Sequence, residues 1–402
     1  MIGALLLAAA LVSPQESELA AWLPELFAKS AAHYRAIDAA ASPLMRGDSG
    51  DLLFPHGYDA KTGLLDMRSV YWWTSGHFPG TLWYLHEATG DPALRNAALK
   101  WTEIVAPNAQ VTNNHDVGFI MHCSFGNARR ILKTDRYDAL LRETASSLAM
   151  RYSDDLGLIR SWGDITNRTH FLVIPDNLMN LELLECVAKF SGEARFDRIA
   201  RSHATVTMRN HFRADGGAYH VLDYDPRTKR VRNIDRGQGA SCFTAWARGQ
   251  SWAIYGYAMM FRETRDRAYL NFAQKVADFA IDNPNMPADG VPYWDYGALG
   301  EERDTSAASI MASALLELCT FAELDATVAA KYRAFAVRQL CALASDVYFA
   351  KPGENGDFLL KHGVGNKPGD SEVDTPLDYG DYYFVEALLR FRKLLDSSAS
   401  SR

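Results

Sequence analysis

The sequence predicts an all-α protein, an (α/α)6 barrel of six helical hairpins with a small β-hairpin as decoration. Three observations predict it. A polar signature, an apolar helix, a short turn and an amphipathic helix recur as a unit six times along the chain. The first helix of each unit is apolar nearly all round, as in LMNLELLECVAKF and SIMASALLELCTF, the pattern of a helix buried on both sides. The units differ in length and are joined by longer connections at 155–175, 212–247 and 350–380, which suits a closed barrel better than an open superhelix.

The first unit follows Trp72-Trp73-Thr74-Ser75 and turns at Thr89-Gly90. Asp91-Pro92 then reads as a cap with proline at the first helical position, and Leu94, Ala98, Trp101 and Val105 share one face. The second begins at Asn114-His115-Asp116 and turns at Lys133-Thr134-Asp135. The third begins at Pro175-Asp176-Asn177 and turns at Ser191-Gly192-Glu193. The fourth starts at Arg248-Gly249-Gln250 and turns near Thr264-Arg265-Asp266, the fifth starts at Asp304-Thr305-Ser306, and the sixth runs from Tyr379-Gly380-Asp381 to the chain end. Between them, 212–234 carries Gly216-Gly217 and alternating apolar positions, the signal of a strand hairpin.

Composition limits the function. With 402 residues, 48% hydrophobic and 23% charged, the chain can build a sizeable core, which excludes disorder. A formal charge of −7 and no basic run longer than two residues argue against a nucleic-acid partner. Residues 1–13 open with the apolar stretch MIGALLLAAALV, too short to span a bilayer, and read as an export signal lacking a basic start. The protein is then periplasmic or secreted. The alternatives are an apolar first helix and a cytoplasmic protein. Residues 14–402 form a single barrel domain. The five cysteines, without CxxC spacing, read as small core residues. No HExxH, calcium loop, Walker loop or dinucleotide fingerprint occurs, so no metal or cofactor is expected. GQSWA falls short of a nucleophile elbow.

If the inner helices run parallel, the signatures before them meet at one mouth. Several helix N-termini then point at one pocket and favour an anion such as a sugar acid. Asp116 and Asp176 sit at two of these helix starts. Each reads either as an N-cap or as a catalytic acid. Asp176, between Pro175 and an apolar helix, is expected to have a raised pKa, as a general acid needs. Aromatic residues crowd the same segments: Trp72, Trp73, Trp162, Tyr219, Trp252, Tyr293 and Trp294 are sugar platforms or core residues, with Trp73 and Trp252 the better platforms. Arg248 is a bidentate carboxylate donor or an interhelix salt bridge.

The signatures NNHDVGF (113–119), IPDNLMN (174–180), ARGQSWAIYG (247–256), and LKHGVGNKP followed by DYGDYYFVEALLRF resemble the unsaturated glucuronyl hydrolases of glycoside hydrolase family 88, in order over about 66–393. The resemblance implies a glycoside hydrolase on an (α/α)6 barrel that removes the 4,5-unsaturated uronic acid from the non-reducing end of lyase-generated oligosaccharides. Its partners would be unsaturated uronyl di- and oligosaccharides, with glycosaminoglycan fragments as the expected source. By motif matching it implies that Asp176 protonates carbon 4 and activates water toward carbon 5, and that Asp116 holds ring hydroxyls. His115, His220, Gln238, Arg248 and Trp252 become substrate contacts, with Trp73 and Trp162 as aromatic walls; His362 and Lys367 lie in a loop that contacts sulfate in some relatives. The chain departs from the pattern at Arg236-Gly237, where many relatives carry histidine, and at Gly363 and Asn366, where sulfate-binding relatives carry serine. Sulfate preference is therefore open. Rival readings are an unsaturated rhamnogalacturonyl hydrolase acting on pectin fragments and a non-catalytic sugar-binding protein, the latter disfavoured by the presence of both acids.

Overall fold

The computed structural model describes residues 13–400. The expected export signal lies, but for Ser13, outside the described residues. Two concentric rings of helices form the molecule. The inner ring comprises α2 (His77–Thr89), α4 (Val117–Met121) with α5 (Asn127–Leu132), α7 (Asn177–Ser191), α9 (Ala247–Thr264), α11 (Thr305–Leu318) and α13 (Asp378–Ser400). A π-turn at His122–Gly126 joins α4 to α5 into one continuous inner helix. Each inner helix packs on the next, and α13 returns to α2, so the ring closes. The outer ring is α1 (Pro14–Ala41), α3 (Pro92–Glu103), α6 (Asp138–Ala149), α8 (Ala194–Asn210), α10 (Arg267–Ile281) and α12 (Ala326–Leu343).

Local chemistry sets the boundaries. Asp91, Asp266 and Asp325 accept backbone N–H bonds at the starts of α3, α10 and α12, and Pro92 occupies the first turn of α3. Gly90, Lys133, Gly192 and Arg265 end the preceding helices in the left-handed conformation, so all four expected turns are present. The sixth hairpin is the exception to the expected order. Its outer helix is not C-terminal to α13 but is α1, which packs against α2, α3, α12 and α13 and closes the outer ring from the other end of the chain.

The long connections carry the β-structure at one end of the barrel. Strands β1 (Leu53–Asp59) and β2 (Leu64–Ser69) form one hairpin, and β3 (Tyr152–Ser153) with β4 (Leu158–Ile159) a second. A three-stranded sheet pairs β5 (Phe171–Val173), β6 (Val221–Asp225) and β7 (Arg230–Asp235). Finally β8 (Gly363–Asn366) pairs with β9 (Ser371–Thr375). The expected hairpin is thus present, but it starts after residue 220 and takes β5 as a third strand, because 212–218 is used by a tight turn bridged between Phe212 and Ala218. The cysteine expectation holds only for Cys123. The other four are half-buried, and all five are free.

The inner helices touch closely enough that some positions admit no side chain. At Gly118 a Cβ would lie 2.5 Å from Asn180 Oδ1 and 2.6 Å from the Asn180 Cα, where α4 meets α7. Asn180 Oδ1 also accepts the Phe119 N–H at 2.7 Å, so this contact fixes how α4 enters the ring. Gly118→Ala should therefore cost about 1–3 kcal/mol through overpacking. Scanning calorimetry of the two proteins checks this; an unchanged melting temperature would show that the helices can part at no cost.

Candidate active site

Trp73 before α2, His115 and Asp116 before α4, Ile174 and Asp176 before α7, and Arg248 in the first turn of α9 all line one cavity of about 370 Å³. Val221, Gly237, Gln238 and Asn366 from the β-decorated connections complete the wall with Trp162. The site therefore lies at the N-terminal ends of the inner ring. Asp304, at the start of α11, reaches it through Arg248. Tyr379, in the first turn of α13, packs on Trp73 at 4.8 Å between ring centroids.

Neither Asp116 nor Asp176 caps its helix, since neither carboxylate accepts a bond from the first turn. This separates them from Asp91, Asp266, Asp304 and Asp325, whose oxygens do. Asp176 is buried, and its Oδ2 has no hydrogen-bond partner. Burial raises its pKa to about 6, against the opposing charges of His115 and Arg248. Asp378 and Asp381 are also buried acids with raised pKa values, to about 6 and about 7, and desolvation is the main cause for both. They serve structure instead: Asp381 accepts from Leu359 N, Leu360 N and Tyr34 Oη, and Asp378 sits against His56 and the Tyr379 N–H. Neither lines the cavity.

His220 faces Asp176, with Nε2 3.9 Å from Oδ2. Its ring stacks on Trp246 at 4.3 Å, and its Nδ1 accepts the backbone N–H of Gln238 at 2.7 Å. A backbone N–H can only donate, so Nδ1 carries no proton and the proton sits on Nε2, toward Asp176. Burial, reinforced by the Arg248 charge, lowers the His220 pKa to about 3, which keeps the ring neutral. The departure at Gly237 has a steric reason. Its φ is +51°, and a Cβ there would lie 2.4 Å from His220 Nδ1, so no side chain fits at 237. On the other side, His115 Nε2 is 3.2 Å from Asp116 Oδ1, and the ring lies beside Trp162.

Arg248 lines the cavity, but its fork is engaged. Nη1 donates to Asp304 Oδ2 at 3.3 Å and to the Val364 carbonyl; Nη2 donates to the Gly365 carbonyl at 2.6 Å and to Gln238 Oε1 at 3.1 Å. Only Nε–H lacks a partner. The sequence expectation of a bidentate carboxylate clamp is thus corrected toward the salt-bridge alternative: every Nη hydrogen is committed, and what the residue gives a ligand is its charge. It also orients Gln238, because an amide oxygen held by Arg248 leaves the amide NH₂ of Gln238 for the cavity. Asn366 behaves alike, its Oδ1 accepting the Gly369 N–H at 3.1 Å. Two lining residues thus carry amide NH₂ groups not used by the bonds described, and with the His220 Nε2–H they form a donor set suited to an anion.

Other expected contacts are placed differently. Trp252 does not line the cavity; it is wholly buried beneath it against Phe119 and Tyr383, which is the core reading of that residue. Lys367 pairs with Glu302 at 2.5 Å and His362 with Asp374 at 2.5 Å, and neither lines the cavity. Trp162 stands 40% exposed on the rim and Trp73 packs between Phe119 and Tyr379. Trp72 lies outside the cavity with Arg68 over its ring. Among the described residues no group of three His, Cys, Asp or Glu side chains is disposed to hold a metal ion. No described helix is long and apolar enough to cross a membrane.

No family model matches the chain. It is 42% identical over 330 residues to an unsaturated glucuronyl hydrolase of Formosa agariphila, a match that covers 80% of each protein. It is 32% identical over 329 residues to an unsaturated chondroitin disaccharide hydrolase of Streptococcus pyogenes serotype M1, covering 80% of this chain and 81% of that one. Among solved structures, the crystal structure of an unsaturated glucuronyl hydrolase specific for heparin superposes with a TM-score of 0.86 at 38% identity, covering 94% of this chain and 98% of the other.

A buried carboxyl whose pKa rises on folding destabilises the fold once it ionises. Below the unfolded pKa of 3.8 the group is neutral in both states; as pH rises from there to about 6, only the unfolded chain loses the proton, and stability falls. Two pKa units amount to roughly 3 kcal/mol at neutral pH. Asp176→Asn should therefore melt a few degrees higher than the parent at pH 8, with the gap closing toward pH 4. Thermal melts across that range check it, and a variant less stable at every pH would mean that the Asp176 carboxylate supports the fold.

Proposed function

The chain belongs to the unsaturated glucuronyl hydrolases, and we propose that it removes the 4,5-unsaturated uronic acid from the non-reducing end of oligosaccharides left by polysaccharide lyases. The observation that carries this reading is Asp176: a buried, non-capping acid with a pKa of about 6 and an unbonded oxygen, lining a cavity otherwise furnished with donors for an anion.

The chemistry follows from that carboxyl. Protonated Asp176 gives its proton to carbon 4 of the ring double bond, and the positive charge that forms at carbon 5 is shared with the ring oxygen. Water adds at carbon 5 and returns a proton to the Asp176 carboxylate, so one water is consumed and the acid is restored. The hemiketal then opens and the glycosidic link breaks. His220, neutral with its proton on Nε2, stands 3.9 Å from the acid, a separation that lets one ligand oxygen bond to both groups. Asp116, steadied by His115, receives ring hydroxyls, and Trp73 and Trp162 flank the ring. The uronate carboxylate meets the amides of Gln238 and Asn366 in the field of Arg248. Glycosaminoglycan fragments are the favoured source, in keeping with relatives named for chondroitin disaccharide and heparin.

Loss of the double-bond absorbance of lyase-generated disaccharides tests the activity. Asp176→Asn should reduce kcat by about 100-fold to 10,000-fold while folding intact, since an amide has no proton to give. Parent activity should fall as pH rises through about 6, where the acid ionises. A variant within a few-fold of the parent would remove Asp176 from the reaction. Gln238→Glu exchanges the cavity donor for an acceptor of the same shape. It should raise KM for the uronate by at least about tenfold with a smaller change in kcat, measured on the same substrates. An unchanged KM would place the carboxylate elsewhere.

A further inference from the structure

Two arginines are buried beneath the rim of the cavity with no carboxylate in direct contact among the described residues. Arg151 is 2% exposed and Arg160 5%. Arg151 donates from Nε to the Arg160 carbonyl at 2.8 Å, from Nη2 to the Gly163 carbonyl at 3.2 Å, and from Nη1 to the Thr112 carbonyl. Arg160 donates to the carbonyls of His170 at 2.6 Å and Asn167 at 2.8 Å. Carbonyls satisfy the N–H groups, while the carboxylates that act on these charges, Asp116 on Arg151 and Asp164 and Asp223 on Arg160, do so without direct contact, and a buried arginine with no carboxylate against it is rare. Burial first, then Arg160, pulls Arg151 down to about 10; burial first, then Arg168, lowers Arg160.

Over these charges runs a groove of about 560 Å³, lined by Thr112, Asn113, Asn114, Gly163, Asp164 and Ile165. Thr112 and Gly163 both line the groove and both receive Arg151 on their carbonyls, so the guanidinium ties these two parts of its lining together. The groove adjoins the active site, because Asn114 is bridged to Trp162, and Trp162 and the adjoining His115 line the cavity. Arg168, exposed on the same loop, adds a third cation. The groove's carboxylate, Asp164, is exposed and accepts from Thr166 N and Oγ1 at 2.7 Å; it forms no ion pair with either buried arginine among the described residues. Elsewhere on the rim, Lys367 and His362 face carboxylates of their own.

We propose that this groove is the subsite for an anionic substituent, a sulfate or a carboxylate, on the saccharide that leaves, received in the field of Arg151, Arg160 and Arg168. The inference rests on the cavity being the site of the unsaturated ring. It is tested by changing the groove's charge without touching the arginines, which also hold the loop. Asn113→Asp adds a negative charge on an exposed wall, and Asp164→Asn removes one while keeping the acceptor for Thr166.

The probes are an unsulfated unsaturated chondroitin disaccharide, the same disaccharide sulfated on the hexosamine, and an unsulfated tetrasaccharide whose third residue is a uronate. On the anionic probes Asn113→Asp should raise KM about threefold to fivefold and Asp164→Asn should lower it by a similar factor, with kcat unchanged. The unsulfated disaccharide should not respond. A response limited to the sulfated probe identifies sulfate, and one limited to the tetrasaccharide identifies the carboxylate. Equal shifts on the unsulfated disaccharide, or no shift on any probe, overturn the proposal. Tryptophan-fluorescence titration of the same probes into both variants and the parent reads the groove without turnover. Binding differences of the stated sign in a protein that turns nothing over would sustain the groove and reject the reaction, and no binding by any probe would reject both.

Discussion

A carboxyl held inside the protein with one oxygen lacking a donor is the constraint on which the rest of the site depends. Leaving such a group unpaired costs about 1–3 kcal/mol, and more once it is charged. The fold could have relieved it by bonding Asp176 to its own helix, as Asp304 does at the start of α11. Instead the Asp176 backbone adopts helical angles, which leave its side chain off the first-turn N–H groups. Two neighbours, His115 and Arg248, act to lower its pKa, yet burial outweighs them and the value settles at about 6. A stronger nearby cation would keep the acid ionised and unable to give up a proton.

The neutralisation of Arg248 therefore matters as much as its charge. Asp304 takes part of its field, and the carbonyls of Val364 and Gly365 share the remainder while tying β8 to α9. That hairpin is held again on its far side. Glu372 on β9 accepts from His56 Nε2 at 2.9 Å and pairs with Arg68 at 2.6 Å, and His56 is raised to about 9 by the carboxylates of Asp378 and Glu372 against its burial. Glu372 fills the space that a Cβ on Gly365 would need, and it does so at a φ of +56°. His362, Asp370 and Asp374 in the same segment also have positive φ. A strained hairpin of this kind persists only where surrounding bonds over-determine it. Here those bonds present Asn366 to the cavity and fix the two carbonyls that occupy Arg248.

The ring of inner helices was legible because burial on both sides leaves an unmistakable apolar pattern, and its turns were legible because glycine and aspartate mark helix ends by local chemistry. The outer helix of the sixth unit was not, since α1 and α13 lie at opposite ends of the chain and no local pattern links them. The same distinction runs through the site. That Asp116 and Asp176 stand at helix starts follows from neighbouring residues, and so does the expectation that burial raises Asp176. That Asp304, itself a local cap on Ser306 N, is also Arg248's partner depends on a contact across 56 positions. Trp252 shows the limit of motif position, because proximity to a polar signature on a helix does not say which face the ring occupies. Gly237 is the converse case: a departure from the family pattern that became intelligible only when His220, 17 positions earlier, was found against it.

The two ends of the barrel apply opposite solutions to one problem. Toward the C-terminal ends of the inner helices, Arg262 is paired with Glu182 and Glu317, and Arg390 with Glu317 and Glu386. There Glu182 is half-buried, yet the adjacent Arg262 overcomes its desolvation and holds it down at about 2. Glu182, Arg262, Glu317 and Arg390 stay charged at any physiological pH, and with His122 they lock four helices and the π-turn together. At the N-terminal end the fold withholds the partner. Asp176 lacks a cation in direct contact, His220 lacks a proton on one nitrogen, and among the described residues Arg151 and Arg160 have no carboxylate in direct contact. Pairing makes a buried charge inert, so the end of the barrel where pairing is withheld is the end able to exchange a proton and to attract an anion.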